Sequence, residues 1–376
     1  MHGGVGRYTA NLVKALGRLG LDIIVACDKK GEGHYRNLSP SNDSNSEILL
    51  NIVHEIAPDV VHVQFDPGLY GLSFNVENSA NAGTTIDKFY AQCKTPIVTT
   101  FHSGYATYRQ WMNPASLIKH EGRIGRLGLP LRALKRFRKY SLNYNAFNKV
   151  IAAKIARSKE SIVFSQYLAR QLGNKCQIIY HGAESAIPPI SKKEAREKMI
   201  ISIPEKQRLA LAFGFSTVGK GWDILRKIEM PEGWTLVVNS SKGDYNKEDI
   251  VLEWKNARSN VIDLERGFLT DEELSTLFFA VDAVVLPYRA ATGSGVMFDA
   301  LAHGLPFVAT DLEFFKEFSE QGLGITARRK PFEFVAALNK LNQDYENFAE
   351  RVGRFNEKLG WNSVAKEHYL LYRIRE

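Results

Sequence analysis

The sequence predicts an α/β fold in two successive halves, each a parallel sheet covered by helices on both faces. Three observations carry that reading. Short apolar runs alternate with stretches of helical period along nearly all 376 residues, as in βαβ units. The alternation breaks once, at Ala186-Ile187-Pro188-Pro189-Ile190-Ser191, where consecutive prolines suit neither a helix interior nor a central strand. In the second half a glycine-rich loop, Thr292-Gly293-Ser294-Gly295-Val296, links the apolar run Ala283 to Pro287 with a helix and then a second run, Pro306 to Ala309.

In the first half, Val5 to Leu19 sets Val5, Tyr8, Leu12, Leu16 and Leu19 at helical spacing, and Leu21 to Cys27 follows as a β-branched strand. Ser39 to Ser46 is a polar, turn-rich loop, Ile48 to Ile56 a helix, and Asp59 to Gln64 and Pro96 to Phe101 are strands. After a basic helical region come two short strands, Ser161 to Ser165 and Gln177 to Tyr180. Past the prolines the order is strand (Leu209 to Phe213), helix (Trp222 to Ile228), strand (Trp234 to Asn239), helix (Lys247 to Ala257) and strand (Val261 to Leu264). The next helix, Asp271 to Ala280, has Thr270 as N-cap and acids in its first turn, where they favour the helix dipole. The helix after the glycine-rich loop is expected to have Gly-Ser-Gly as its first turn. The break places the domains at 1–186 and 187–362.

Composition excludes several classes. The chain is 44% hydrophobic and 24% charged, ordinary for a globular protein. No run reaches the roughly 18 apolar residues of a membrane span. Cys27, Cys93 and Cys176 lack metal spacing and fit buried thiols in a reducing cytosol. The net charge is +8, and Lys119, Arg123, Arg126, Arg132, Lys135, Arg136, Arg138 and Lys139 crowd one stretch. Leu127, Leu129, Leu131, Leu134, Phe137 and Leu142 interleave with them. A solvated helix face and a docking surface for anionic lipid both fit this pattern. Nucleic acid fits poorly, because no nucleic-acid motif accompanies the charge. The expected location is cytoplasmic, with the lipid reading placing the protein peripherally on the inner face of the cell membrane.

The glycine-rich loop carries the chemistry. A helix starting at the carboxyl edge of a parallel sheet offers unpaired N–H groups and a dipole that favour an anion. Asp299, one turn past Gly295, can accept hydrogen bonds from hydroxyls. Phosphate and polyol side by side point to a nucleotide sugar.

Further motifs join it in order: His2-Gly3-Gly4-Val5-Gly6-Arg7-Tyr8, Thr99-Thr100-Phe101-His102, Phe213-Gly214-Phe215, Lys220-Gly221-Trp222-Asp223-Ile224-Leu225 and Gly267-Phe268-Leu269-Thr270-Asp271-Glu272-Glu273-Leu274, with Tyr288 to Pro306 last. Together they resemble the retaining GT-B glycosyltransferases of family 4, the group 1 type. The resemblance implies two Rossmann-like domains facing across a cleft, with the last helix, 363–376, crossing back to the first domain. It implies a nucleotide-sugar donor such as a UDP- or GDP-hexose and transfer with retention, without a metal or organic cofactor. The acceptor would be lipid-linked, a glycolipid or a saccharide, in glycolipid, polysaccharide or glycoprotein glycan synthesis.

Roles follow from the same resemblance. Gly3 and Gly4 would lie against the donor diphosphate, His102 would contact the donor sugar, and Lys220 would neutralise the leaving phosphate. Gly267 and Phe268 would border the base, and Asp299 would hold the ribose hydroxyls. Closure of the cleft would bring Lys220 and the Gly293–Val296 loop towards His102. Arg132, Lys135, Arg136 and Arg138 would face the acceptor membrane.

The sequence also departs from the pattern. Phe215 stands where an arginine usually accompanies the lysine, and Ala291 replaces the first of an acidic pair whose second member is Asp299. A subset of the family carries Thr-x-Ser-Gly-Val here, in which the loop backbone (Gly293, Gly295, Val296) and Ser294 take over the sugar contacts. The family places a buried strand before its first glycine loop, whereas only Met1 and His2 precede Gly3. The expectation is an upstream gene start or a truncated form, with the first strand of the amino-terminal sheet missing. A weakly active or inactive nucleotide-sugar binder is the alternative function. A dinucleotide dehydrogenase is disfavoured, since no Gly-x-Gly-x-x-Gly follows a first strand. An epimerase or a phosphorylase using a pyridoxal cofactor finds no support in the residues.

Overall fold

A computed structural model describes residues 4–74, 82–104, 129–204, 206–215, 217–241 and 260–373. The chain divides into two compact units, Met1–Tyr180 with Trp361–Glu376, and His181–Gly360.

The first unit opens with α1 (Gly4–Gly17), which buries Tyr8, Leu12, Ala15 and Leu16 along one stripe. A parallel pair follows, β1 (Ala26–Asp28) with β2 (Tyr35–Leu38). The expected strand from Leu21 thus shortens to its last residues. Ile24 is 41% exposed, the Val25 carbonyl accepts from the His34 and Tyr35 N–H groups, and the Val25 N–H donates to His34 Nδ1. β-Branched residues favour an extended chain, but a ladder also needs a partner. After α2 (Asn45–Ile56) come β3 (Val61–Phe65), the small antiparallel pair β4 (Ser73–Phe74) and β5 (Ala82–Gly83), α3 (Asp87–Gln92) and β6 (Ile97–Phe101). The long α4 (Leu129–Arg157), β7 (Glu160–Val163), α5 (Gln166–Gln171) and β8 (Gln177–Ile178) complete this stretch. The main sheet runs β3-β6-β7-β8, all parallel.

β6 is buried throughout, so its threonines need partners. Thr99 Oγ1 meets the Tyr90 hydroxyl at 2.8 Å and the Ser158 hydroxyl at 2.7 Å, and Thr100 Oγ1 meets His62 Nε2 at 2.8 Å. Lys154, 2% exposed, pairs with Asp87 and sits over the Phe65 and Tyr90 rings. Burial pulls its ammonium pKa down while Asp87 resists the shift. The two ends of α4 differ. Ala146, Phe147, Val150 and Ile151 are core, whereas Leu134 and Phe137 are exposed.

The second unit runs α6 (Lys192–Lys198), β9 (Arg208–Phe215), α7 (Trp222–Leu225), β10 (Trp234–Ser241), β11 (Val261–Asp263), α8 (Asp271–Ala280), β12 (Ala283–Leu286), α9 (Gly295–Ala302), β13 (Phe307–Thr310), α10 (Glu313–Ser319), β14 (Gly324–Ala327), α11 (Pro331–Gln343) and α12 (Tyr345–Asn356). Its sheet order is β11-β10-β9-β12-β13-β14, all parallel. Counted from the unit's first strand this is 3-2-1-4-5-6, the doubly wound order whose direction reverses between strands one and four. β12 and β13 are buried at every residue, which is why they read as unbroken apolar runs. Asp282 is buried just before β12. It accepts from the Leu209 N–H at 2.8 Å and Arg196 at 3.1 Å, and it pairs with Lys192.

Three helices differ from expectation. The one after Lys220 is a single turn. The one after the glycine loop begins at Gly295, with Ser294 as its N-cap rather than inside its first turn. That expected at Lys247 to Ala257 lies outside the described residues. The last helix, α13 (Trp361–Tyr372), packs on α1 in the first unit, with the Tyr8 and Trp361 rings 5.2 Å apart.

Candidate functional site

The reversal of strand order in the second unit lies between β9 and β12, and ligands of doubly wound sheets bind outside the carboxyl ends at such a point. Both strands end there in loops stitched together by the backbone. The Phe215 carbonyl accepts from the Thr217 N–H and Trp222 Nε1, each at 2.8 Å, which turns the chain back at once. The Gly219 carbonyl accepts from the Arg289 N–H at 2.8 Å. Gly221 has φ of +72°, and a Cβ there would stand 1.8 Å from the Pro287 carbonyl oxygen. Glycine is required for the lysine turn to lie against the loop after β12.

That close approach sets the position of Lys220. Its Nζ donates to the Tyr288 hydroxyl at 2.6 Å and lies 4.0 Å from the centroid of the same ring. The Ser294 hydroxyl stands 3.4 Å from the Tyr288 oxygen and accepts from the Met297 N–H at 3.3 Å. A cation, a phenol and the start of a helix therefore share one strand end, which is what an anionic group needs. Gly295 and Val296 form the first turn of α9, Gly293 precedes its cap, and half-buried Asp299 lies one turn further on.

Phe215 brings an aromatic ring where the resemblance called for a guanidinium. Its ring meets Phe268 at 5.7 Å, and Phe268 is 52% exposed. The fully buried Asn239 holds that loop, donating to the Gly267 carbonyl at 2.9 Å and accepting from the Arg266 N–H at 3.1 Å.

Sequence reasoning passed over two features here. Asp223 Oδ2 accepts from Arg289 at 2.8 Å and Oδ1 from Arg329 at 2.5 Å. Burial pushes the Asp223 carboxyl pKa up, but hydrogen bonds and charge from the two arginines outweigh it and leave the pKa below its ordinary value. The His181 ring stacks on Phe298 at 5.6 Å and lies 3.8 Å from where a Gly295 Cβ would be. His181 directly follows an apolar run, the same signal that picked out His102.

His102 belongs to the first unit. It directly follows β6 at the carboxyl edge, and its backbone N–H donates to the Phe65 carbonyl at 2.9 Å. Its Nε2 meets Gln64 Oε1 at 2.8 Å, and its ring packs edge-on against Tyr8 at 5.0 Å and Phe164 at 5.1 Å. Gly4 opens α1 one turn before Tyr8 and is exposed; Gly3 lies outside the described residues. The structure thus groups Lys220, Ser294, Phe215 and Phe268 in one unit and Gly4 with His102 in the other. Arg138 and Lys139 are exposed on α4, while the side chains of Arg132, Lys135 and Arg136 lie outside the described residues, as do Lys119, Arg123 and Arg126. Among the described residues no helix is long and apolar enough to cross a membrane, and no group of three or more His, Cys, Asp or Glu is placed to hold a metal ion.

Comparison with known proteins bears on this geometry. Residues 2–184 match the family described as Glycosyltransferase Family 4, and residues 222–344 match Glycosyl transferases group 1. Comparison with curated proteins gave no match. Among solved structures, the sucrose-phosphate synthase of Thermosynechococcus elongatus is similar with a TM-score of 0.67 at 15% identity, covering 99% of this chain and 93% of that one. The Anabaena protein HepE in complex with UDP-glucose gives 0.62 at 15% identity, over 98% and 96%. A glycosyltransferase of Rickettsia africae gives 0.61 at 12%, over 98% and 94%. At these identities the likeness establishes the fold, and the family matches span both units. The chain belongs to the family 4, group 1 glycosyltransferases and has their GT-B fold of two Rossmann-like parallel-sheet units.

Proposed function

We propose that the protein transfers a hexose from a nucleotide-sugar donor to an acceptor hydroxyl with retention of anomeric configuration. The observation that carries this is the Lys220–Tyr288–Ser294 cluster beside the start of α9, at the point where strand order reverses. The second unit is the donor side. The diphosphate lies against the first turn of α9 and the Gly293–Val296 backbone, with Lys220 as its cation. The ribose hydroxyls hydrogen-bond Asp299, and the base lies by Gly267, Phe268 and Phe215. The bound UDP-glucose of HepE supports a UDP-sugar as the first donor to try.

In the reaction, the bond from the anomeric carbon to the phosphate oxygen breaks and the acceptor oxygen bonds that carbon on the same face. The departing phosphate takes the acceptor proton, so no protein nucleophile is required. Lys220 acts where negative charge grows, which is where a fixed cation lowers the barrier most. His102 hydrogen-bonds a hydroxyl of the donor sugar, and Gly3 and Gly4 border the diphosphate. The first unit is the acceptor side. Exposed Leu134, Phe137, Arg138 and Lys139 on α4 suit an anionic membrane surface carrying a lipid-linked acceptor. That setting supports a role in glycan synthesis at the inner face of the cell membrane.

Phe215 and the buried Ala291 favour one second reading, a nucleotide-sugar binder of low or no turnover. Calorimetric titration with UDP, GDP and their hexose conjugates decides the first step. One nucleotide should bind, and Lys220→Ala should weaken it by about 10–100-fold, the loss of one charged hydrogen bond. A folded protein that binds none of them ends the proposal. Binding without transfer to any acceptor selects the second reading, and the anomeric configuration of a product tests retention.

A further inference from the structure

The side chains behind His102 form a layered arrangement whose members come from distant parts of the chain. His62, on β3, is held at both ring nitrogens. The Tyr372 hydroxyl of α13 meets Nδ1 at 2.5 Å and Thr100 Oγ1 of β6 meets Nε2 at 2.8 Å. The rings of His368 and Tyr372 pack around it, each at 5.5 Å. Burial, reinforced by the neighbouring His368 and His102, holds His62 neutral. The Gln64 amide nitrogen lies 3.1 Å from Nε2 and 3.5 Å from Nδ1 of that ring. Because it is near both nitrogens at once, it sits over the ring face and not in its plane. A neutral π face attracts an N–H group, whereas an imidazolium would repel it.

This arrangement fixes which end of the Gln64 amide points where. With its NH₂ over His62, its oxygen faces His102 Nε2 at 2.8 Å. An acceptor there demands a proton on Nε2, which makes Nδ1 the basic nitrogen of His102. We infer that Gln64 and His62 are positioning residues that lock His102 in the Nε2–H tautomer, and that α13 belongs to this device through Tyr372. The consequence for transfer rests on the role of His102 proposed above. The tautomer itself does not.

The test is ¹⁵N spectroscopy of histidine-labelled full-length protein, with the His102 signal assigned through His102→Gln. Wild type should show a protonated Nε2 and an unprotonated Nδ1. Gln64→Leu should lose that fixed pattern, and turnover should fall by about 10–100-fold, as when partners that orient a functional imidazole are removed. Its affinity for the nucleotide alone and its thermal melting should stay close to wild type. Gln64→Glu keeps an acceptor facing Nε2 and should keep Nε2 protonated, while it loses the N–H over the His62 ring. An unchanged tautomer in Gln64→Leu overturns the inference, as does a wild type protonated on Nδ1. A changed tautomer with unchanged transfer upholds the positioning device and removes His102 from the reaction.

Discussion

Replacing Gly221 by alanine tests whether the close approach of two loops places Lys220. The backbone there has φ of +72°, a region that costs an L-residue about 1–2 kcal/mol. The added Cβ would also stand 1.8 Å from the Pro287 oxygen and 2.8 Å from its carbon. Both neighbours are backbone, so the loops must part by roughly 1.5 Å or more to reach ordinary contact. Overpacking of this kind costs about 1–3 kcal/mol, for a total of about 2–5 kcal/mol. In a unit of this size that lowers Tm by about 4–20 °C. Two other glycines separate the terms. Gly214 has φ of +125° with nothing within 4 Å of a Cβ, whereas at Gly219 a Cβ meets only Thr217 Oγ1, at 3.9 Å. Gly214→Ala should therefore cost the strain alone, about 1–3 kcal/mol, and Gly219→Ala within about 0.5 kcal/mol of nothing. Calorimetric melting ranks the three, and titration with nucleotide follows the site. Nucleotide affinity should fall most in Gly221→Ala, because parting the loops draws Lys220 off Tyr288. A Gly221→Ala protein that loses less than about 2 kcal/mol, or one with undiminished nucleotide affinity, would refute the reasoning.

Two further outcomes are expected. Asp282→Asn removes the charge shared by Arg196 and Lys192 while keeping the side chain's shape. Leaving the half-buried Arg196 without its counter-charge should cost about 3–5 kcal/mol, measured by urea unfolding of the intact chain; a loss under about 1 kcal/mol would mean the arginine finds solvent. His368 is buried, and its pKa is pushed down to about 4. The unfolded chain therefore binds a proton there below about pH 6.5 while the folded chain does not until about pH 4, so stability falls as pH drops through that window, by about 3 kcal/mol in all. Melting curves of wild type and His368→Gln should diverge across that range; parallel curves would exclude a neutral buried His368.

Much of the second unit was legible because its sequence and its burial agree. β12 and β13 are covered on both faces and so are apolar at every position but Thr310. Thr270 and Glu273 form a reciprocal cap on α8, which the sequence announces by spacing alone. Lys220, Gly221 and Ser294 stood out because glycines flanking a charge or opening a helix have few other uses. The unread parts are long-range. Arg329 reaches Asp223 across 106 positions and His62 reaches Tyr372 across 310, and no local period marks either pair. Gln64 looked like the end of a strand, and only the fold gives its amide a direction. The failure at Leu21 to Cys27 has a different cause. Ile23, Ile24 and Val25 have strand propensity, but pairing starts only at Ala26.

The unit that begins the chain is finished by its last helix, and the whole of His181–Gly360 intervenes. This imposes an order of assembly on the ribosome, where amino-terminal segments ordinarily fold first. The second unit is continuous and can close as soon as it emerges. The first cannot, since Tyr8 must wait for Trp361 and His62 for Tyr372. A nascent chain halted at Gly360 should hold a protease-resistant second unit beside a first unit still open to cleavage. Residues made before the second unit reach their final packing after it, so synthesis of α13 precedes an ordered His102.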